Sequence, residues 1–164
     1  MVNVSVIGCG YWGPNLIRNF NQVKGSSLKT VCDLQEDKLQ KIKANYPAVA
    51  ITKNYLDLLN DKEINAVAIA TYPSTHFKLA KEALLAGKHV FVEKPLTLES
   101  AQAKELAELS EKKNLVLMVG HTFEYNPAVN KLKELIDKKE LGNVLYMYGW
   151  RLNLGLYQKD TNVV

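Results

Sequence analysis

The sequence predicts an α/β protein built on a doubly wound parallel sheet, and three observations predict it. A short apolar run, Val4-Ser5-Val6-Ile7, feeds directly into the glycine-rich turn Gly8-Cys9-Gly10-Tyr11-Trp12-Gly13. Further apolar runs recur along the chain, each separated from the next by a segment of helical periodicity. Those runs are continuous rather than alternating, the pattern of strands buried on both faces, and such strands belong to parallel sheets covered by helices on each side. The right-handed rule for crossovers then leaves the doubly wound arrangement as the economical topology.

Each element can be justified in order. The first run reads as a buried strand, and a helix begins near Tyr11, with Leu16, Ile17, Phe20 and Val23 spaced to bury one face. Gly25-Ser26-Ser27 punctuates before a second strand, Leu28 to Cys32. Strands follow at roughly 48–51, at Ala66 to Ala70, at His89 to Val92 and at Leu115 to Val119, with covering helices near 36–45, 54–60, 76–86 and 99–113. A last helix, about 127–138, carries Val129, Leu132, Leu135 and Ile136 on one face and stops near Leu141-Gly142-Asn143. Beyond it Val144, Tyr146 and Tyr148 alternate with Leu145, Met147 and Gly149, which reads as the first strand of another sheet. The division this implies is a first domain over 1–125, and over 126–164 a linking helix plus the start of a second, α+β domain.

Composition excludes several classes. With 164 residues, 47% hydrophobic and 23% charged, the chain can bury one sizeable core. No apolar run approaches the roughly 20 residues needed to cross a bilayer, and no basic region followed by an apolar core marks a leader, so the cytoplasm is the default location. Cys9 and Cys32 read as reduced, packed thiols rather than a disulfide framework, with a nucleophilic role for Cys9 as the less favoured alternative. The net charge of +4 is dispersed, with lysines and glutamates interleaved at helical spacing as in Glu105, Glu108, Glu111 and Lys112. That is a solvated helix face rather than a nucleic-acid patch, although a slight positive balance suits an anionic substrate. No metal-ligand cluster is expected.

The glycine turn carries the first chemical signal. A strand, then G-x-G-x-x-G, then a helix sets free amide N–H groups and the positive helix end against a pyrophosphate. Gly8 permits the turn, Gly10 lets a phosphate approach, and Gly13 lets the helix sit close on the strand. Asp33 stands twenty residues past Gly13, where this motif places the carboxylate that binds the adenosine ribose. An acid there favours NAD over NADP, and Leu34-Gln35-Glu36-Asp37 supplies no arginine for a 2′-phosphate. The alternative is that Asp33 caps a turn or the following helix.

Ligands in such sheets lie at the carboxyl ends of the strands, which singles out the residues just after each strand. Thr71-Tyr72-Pro73-Ser74-Thr75-His76 is either a helix cap with a surface histidine or a loop lining the cofactor. Glu93-Lys94-Pro95 presents a lysine held by a following proline, suited to polarising a sugar hydroxyl; the alternative is a turn lysine paired with Glu93. In Gly120-His121-Thr122-Phe123-Glu124-Tyr125-Asn126-Pro127, His121 and Asn126 either face substrate or form a helix-entry turn.

The segments G-C-G-Y-W-G, A-T-Y-P-S-T-H, A-G-K-H-V-F-V-E-K-P-L, V-G-H-T-F-E-Y-N-P-A-V and L-G-N-V resemble the Gfo/Idh/MocA family of NAD-dependent oxidoreductases over essentially the whole chain. Within it, Tyr11-Trp12, Gly13-Pro14-Asn15, the Gly-His-Thr-Phe segment and the tail Arg151 to Tyr157 are most similar to dehydrogenases of UDP-N-acetylglucosamine and of its uronic acid derivative, which oxidise a sugar 3-hydroxyl for surface-polysaccharide synthesis. The resemblance implies a Rossmann fold in which Gly8, Gly10, Tyr11, Trp12, Gly13, Asp33, Thr71, Pro73, His76, Glu93 and His121 bind NAD. It implies that Lys94 is catalytic and touches substrate, and that Asn126, Arg151, Asn153 and Tyr157 line a nucleotide-sugar. Tyr72 departs from the family's T-P-x-x-x-H pattern. A D-x-x-x-H segment that places a histidine acid/base in the family's second domain is not reached before Val164, so the expectation is an N-terminal, cofactor-binding portion, poorly active alone, of a parent enzyme that forms homo-oligomers. Two other classes remain open: a non-catalytic NAD-binding regulator, and a dehydrogenase of a free polyol, sugar acid or biliverdin-like substrate.

Overall fold

The computed structural model of the chain describes residues 1–150 and 152. Strands and helices alternate from the N-terminus: β1 (Val2–Ile7), α1 (Gly13–Gln22), β2 (Ser26–Cys32), α2 (Glu36–Asn45), β3 (Ala50–Thr52), α3 (Tyr55–Asn60), β4 (Ala66–Ile69), α4 (Pro73–Leu85), β5 (His89–Val92), α5 (Ser100–Lys112) and β6 (Leu117–Val119). A 3-10 turn, Thr122–Tyr125, then leads to α6 (Pro127–Asp137). The strands form one sheet in the order β3-β2-β1-β4-β5-β6, and every pairing is parallel. The chain divides into two compact units, the first Met1–Gly120 and the second beginning at His121.

The sheet forms because its strands bury both faces. In β1, Val6 packs with Leu16, Ile17, Leu28, Val31, Leu39, Ile42 and Ala68 on one side. Its neighbour Ile7 packs with Leu58, Leu59, Val67, Ile69, Leu79, Leu84, Val90, Val92 and Leu106 on the other. Helices α1 and α2 therefore cover one face, and α3, α4 and α5 the other. Fully burying a side chain such as Ile17 or Leu84 contributes about 1.5–3 kcal/mol, so both layers are needed to offset the entropy of ordering the chain. Order reverses at β1, whose neighbours are β2 on one side and β4 on the other, and this places a crevice at the carboxyl ends of β1 and β4.

The element boundaries differ from the periodicity in instructive ways. Helix α1 starts at Gly13 rather than near Tyr11, with Pro14 in its first turn, where the missing N–H has no helical partner to lose. Helix α4 starts at Pro73 for the same reason, so its first flanking residue is Tyr72, which makes no side-chain cap. Strand β2 begins two residues early, at Ser26, and β6 two residues late, at Leu117. The expected strand after residue 143 is not formed among the described residues. Its alternation is real, but a strand needs a neighbour for its backbone groups, and no described segment supplies one.

One core position is locally unfavourable. Ser5, in the middle of β1, is fully buried and its hydroxyl has no hydrogen-bond partner. An unsatisfied buried polar group costs about 1–3 kcal/mol. Ser5→Ala is therefore expected to raise stability by about 1 kcal/mol, seen as a higher urea midpoint by circular dichroism; a lower midpoint would show that the hydroxyl is bonded.

Candidate functional site

The ladder of backbone hydrogen bonds runs one residue past the end of nearly every strand. Gly8 donates to the Cys32 carbonyl (2.8 Å), Asp33 to Thr52 (3.3 Å), Ala70 to Ile7 (2.8 Å), Glu93 to Ile69 (2.9 Å) and Gly120 to Val92 (2.8 Å). These are the positions where ligand-binding residues are expected in a doubly wound sheet. Each is thus fixed by its neighbouring strand before its side chain does anything.

The glycine turn departs from β1 with Gly8 at φ 102°. A Cβ at Gly8 would lie 2.5 Å from the Ala70 carbonyl oxygen, and one at Gly13 would lie 2.0 Å from the Gly8 carbonyl oxygen, so both glycines are demanded by the protein's own packing. Gly10 differs, because a Cβ there would meet no atom within 4 Å. The fold does not require glycine at that position, and its absent side chain leaves the backbone open to close approach. Helix α1 begins at this turn without a side-chain cap on its N-terminus. The turn, with its cleared face and uncapped helix end, fits a dinucleotide pyrophosphate.

Asp33 sits at the end of β2 beside this turn. Its Oδ2 accepts the Cys9 amide at 2.6 Å and its Oδ1 accepts the Gln35 amide at 2.9 Å. The carboxylate closes a local turn as well as bracing the glycine loop, but it does not cap α2, whose first flanking residue is Gln35. A carboxylate accepts about four hydrogen bonds, so capacity remains for ribose hydroxyls. Burial, followed by the charge of Asp33, pushes the Cys9 thiol up to about 12. It is a packed thiol, not a nucleophile.

After β4, Thr71 Oγ1 lies 2.7 Å from Thr75 Oγ1, and the Thr75 hydroxyl also donates to the Tyr72 carbonyl at 2.7 Å, closing the first turn of α4 around Pro73. His76 is not a surface residue. It is 1% exposed, with Nδ1 2.7 Å from the Pro95 carbonyl oxygen and Nε2 3.1 Å from that of Thr71. Both ring nitrogens are thereby engaged by backbone, which leaves neither for a direct contact with a cofactor.

After β5, Glu93 is half-buried and Lys94 exposed, and the Lys94-Pro95 bond is cis. Burial holds the Glu93 carboxyl above the usual carboxylate range, against the opposing pull of the Lys94 amide and charge and of the Trp12 indole N–H. The Lys94 ammonium makes no hydrogen bond or close ion pair with the described residues, so the turn-lysine pairing with Glu93 is not formed. At the opposite end of β5, Lys88 is the contrasting case: buried, with Nζ donating to the carbonyls of Asp61 (2.5 Å) and Ile64 (2.8 Å). Lys88 is structural, whereas Lys94 is presented outward. Trp12, 40% exposed, Tyr11 and Tyr72 all stand open to solvent.

In the second unit, Asn126 is the N-cap of α6, its Oδ1 accepting the amides of Ala128 (2.9 Å) and Val129 (3.3 Å). The helix-entry reading of Asn126-Pro127 is therefore the one the backbone adopts. His121 is exposed and flanks the 3-10 turn. Arg151, Asn153 and Tyr157 lie outside the described residues. Among the described residues no group of three or more metal-ligating side chains is gathered, and no helix is long and apolar enough to cross a membrane.

Two contacts escaped sequence reasoning. One is the Trp12 indole on Glu93, which ties the glycine turn to the turn after β5. The other is Gly120, where a Cβ would come 3.1 Å from Glu93 Oε1 and 3.1 Å from Phe91 Cζ. A glycine at a strand end was the available signal for the second; nothing local signals the first.

Comparison with known proteins agrees with this geometry. Residues 2–121 match the family model described as "Oxidoreductase family, NAD-binding Rossmann fold". The chain belongs to the Gfo/Idh/MocA oxidoreductase family. Similar family members include the uncharacterized oxidoreductase YdgJ of Escherichia coli, 34% identical over 88% of this chain and 41% of that protein. Inositol 2-dehydrogenase of Salmonella typhimurium is 31% identical over 93% of this chain and 46% of its own length. Among solved structures, myo-inositol 2-dehydrogenase from Lactobacillus plantarum superposes with a TM-score of 0.81 at 26% identity, covering 88% of this chain and 43% of that one. GenD2 from gentamicin A biosynthesis, solved in complex with NAD, gives 0.80 at 28% identity, covering 85% and 40%. The chain spans less than half the length of these relatives. Gfo/Idh/MocA membership makes the first unit an NAD-binding Rossmann domain of that family.

The raised Glu93 pKa has a defined stability consequence. The folded state holds this proton more tightly than the unfolded chain, so the charged form is relatively destabilising and stability falls as pH rises from the usual carboxylate range through the folded pKa. Glu93→Gln keeps an acceptor without the charge. Its melting temperature relative to the native sequence is expected to rise as pH climbs from the usual carboxylate range through the raised folded value and then to level off; a gap independent of pH would contradict the raised Glu93 pKa.

Proposed function

We propose that this chain is the cofactor-binding part of an NAD-dependent dehydrogenase acting on a secondary hydroxyl of a sugar or cyclic polyol. The observation that carries the reading is convergence: Asp33, the cleared glycine turn and Glu93-Lys94 stand at the carboxyl ends of β2, β1 and β5 in one parallel sheet. Gly8, Gly10, Tyr11, Trp12 and Gly13 hold the pyrophosphate region, and Asp33 accepts the adenosine ribose hydroxyls. Thr71 and Pro73 shape the wall after β4, and Glu93 faces the second ribose; His121 is proposed as a further NAD-binding residue. NAD, when bound, supplies the hydride acceptor.

Lys94 does the chemistry assigned to the chain itself. Its ammonium donates a hydrogen bond to the substrate hydroxyl and stabilises negative charge that develops on that oxygen as its proton leaves. Asp33 sets the cofactor preference, since its charge repels a 2′-phosphate and no arginine follows it. The finer proposal is that the hydroxyl is C3 of a UDP-N-acetylated sugar, with Asn126, Arg151, Asn153 and Tyr157 holding the nucleotide-sugar. The inositol dehydrogenases among the relatives favour the second reading, a free cyclic polyol.

Calorimetric titration tests both levels. NAD is expected to bind more tightly than NADP, and Asp33→Ala to weaken NAD about tenfold or more while narrowing the gap to NADP, because a hydrogen bond to a charged group is worth about 1.5–3 kcal/mol. Loss of NAD affinity with an unchanged NAD/NADP ratio would confine Asp33 to bracing the loop. No binding of either dinucleotide at millimolar concentration would overturn the reading. With NAD present, titration of myo-inositol against UDP-N-acetylglucosamine decides the substrate class.

A further inference from the structure

Of the three histidines, only His76 is buried, and it is buried between two turns of the site. Its Nδ1 stands 2.7 Å from the carbonyl oxygen of Pro95 and its Nε2 3.1 Å from that of Thr71. One carbonyl belongs to the turn after β4, the other to the turn after β5 that carries Lys94. Both facing atoms are carbonyl oxygens, which only accept, so an N–H on Nδ1 donates to Pro95 across the shorter of the two contacts.

The Lys94 turn has few other restraints. Glu93 is tied to Ile69 through its amide, and the Lys94 amide is taken by the Glu93 carboxylate. On the far side Pro95 has no N–H to give, so its carbonyl, together with the packing of Leu96 against the core, holds that side. The Lys94 side chain itself makes no hydrogen bond or close ion pair with the described residues that would fix its direction. An aliphatic residue at position 76 would fill the same volume but leave the Pro95 carbonyl without this donor.

We propose that His76 is a positioning residue: by donating Nδ1–H to the Pro95 carbonyl it latches the Lys94 turn to the Thr71 turn and sets where the Lys94 ammonium points. The functional weight of the latch rests on the reading of Lys94 as the substrate-facing group. The latch itself is a property of the chain without ligand.

Two substitutions separate the ring nitrogens. His76→Asn places an amide nitrogen near the position of Nδ1 and keeps the bond to Pro95; His76→Gln reaches the position of Nε2, keeps the Thr71 contact and loses Pro95. The whole chain is labelled with 15N-lysine, the Lys94 backbone amide resonance is assigned with Lys94→Arg, and spectra are recorded without dinucleotide. His76→Asn is expected to leave the Lys94 amide resonance at its native position, and His76→Gln to shift it. In the unsubstituted protein, nitrogen-15 spectra of His76 are expected to show Nδ1 protonated, a measurement that needs no variant to fold. A native Lys94 resonance in His76→Gln, an equal shift in both variants, or an unprotonated Nδ1 would each overturn the latch. Failure to bind NAD would instead remove the functional reading and leave these spectra unaffected.

Discussion

The stagger of the parallel sheet governs the rest of this structure. In a parallel ladder each strand end can donate to its neighbour, and here Gly8, Asp33, Ala70, Glu93 and Gly120 all do so just past their own strands. The backbone is therefore fixed at the points where the chain turns away toward helices. Rigid backbone at those points lets the glycine turn come within van der Waals range of Ala70, and lets Gly13 rest on the Gly8 carbonyl, contacts that tolerate no Cβ. A looser sheet edge would not hold such approaches.

Several site residues serve structure and chemistry together. Asp33 braces the Cys9 amide while keeping capacity for a ribose, and Glu93 joins the Trp12 indole to the turn that presents Lys94. His76 serves backbone alone, its two nitrogens each facing a carbonyl. Gly10 is the converse, a residue whose absence of side chain matters to nothing in the protein's own packing.

The fold was legible because its signals are local. Val4 to Ile7 and Ala66 to Ile69 are apolar throughout since both faces are covered, and the Leu16, Ile17 spacing marks a helix wherever it occurs. Boundaries were less legible where proline chemistry competes with periodicity: Pro14 and Pro73 start helices at positions the apolar pattern places elsewhere. The alternation of Val144, Tyr146 and Tyr148 marks strand character, but pairing depends on a neighbour that the pattern itself does not specify. In the site, the glycine turn and Asp33 could be read from spacing. His76 could not, since its role is set by a carbonyl nineteen residues away that packing alone brings to it, and the same holds for Gly120 against Glu93.

The strand order also dictates how the chain assembles as it is made. β1 is synthesised first and lies in the interior of the sheet, yet its second neighbour, β4, begins only at residue 66. Until then β1 can be paired on its β2 side only, and the glycine turn lacks the Ala70 carbonyl against which it packs. Closing that gap requires a long-range contact, which slows folding relative to local helix formation. The dinucleotide cradle, though encoded in the first fifteen residues, is thus completed only when the nascent chain has reached Ala70.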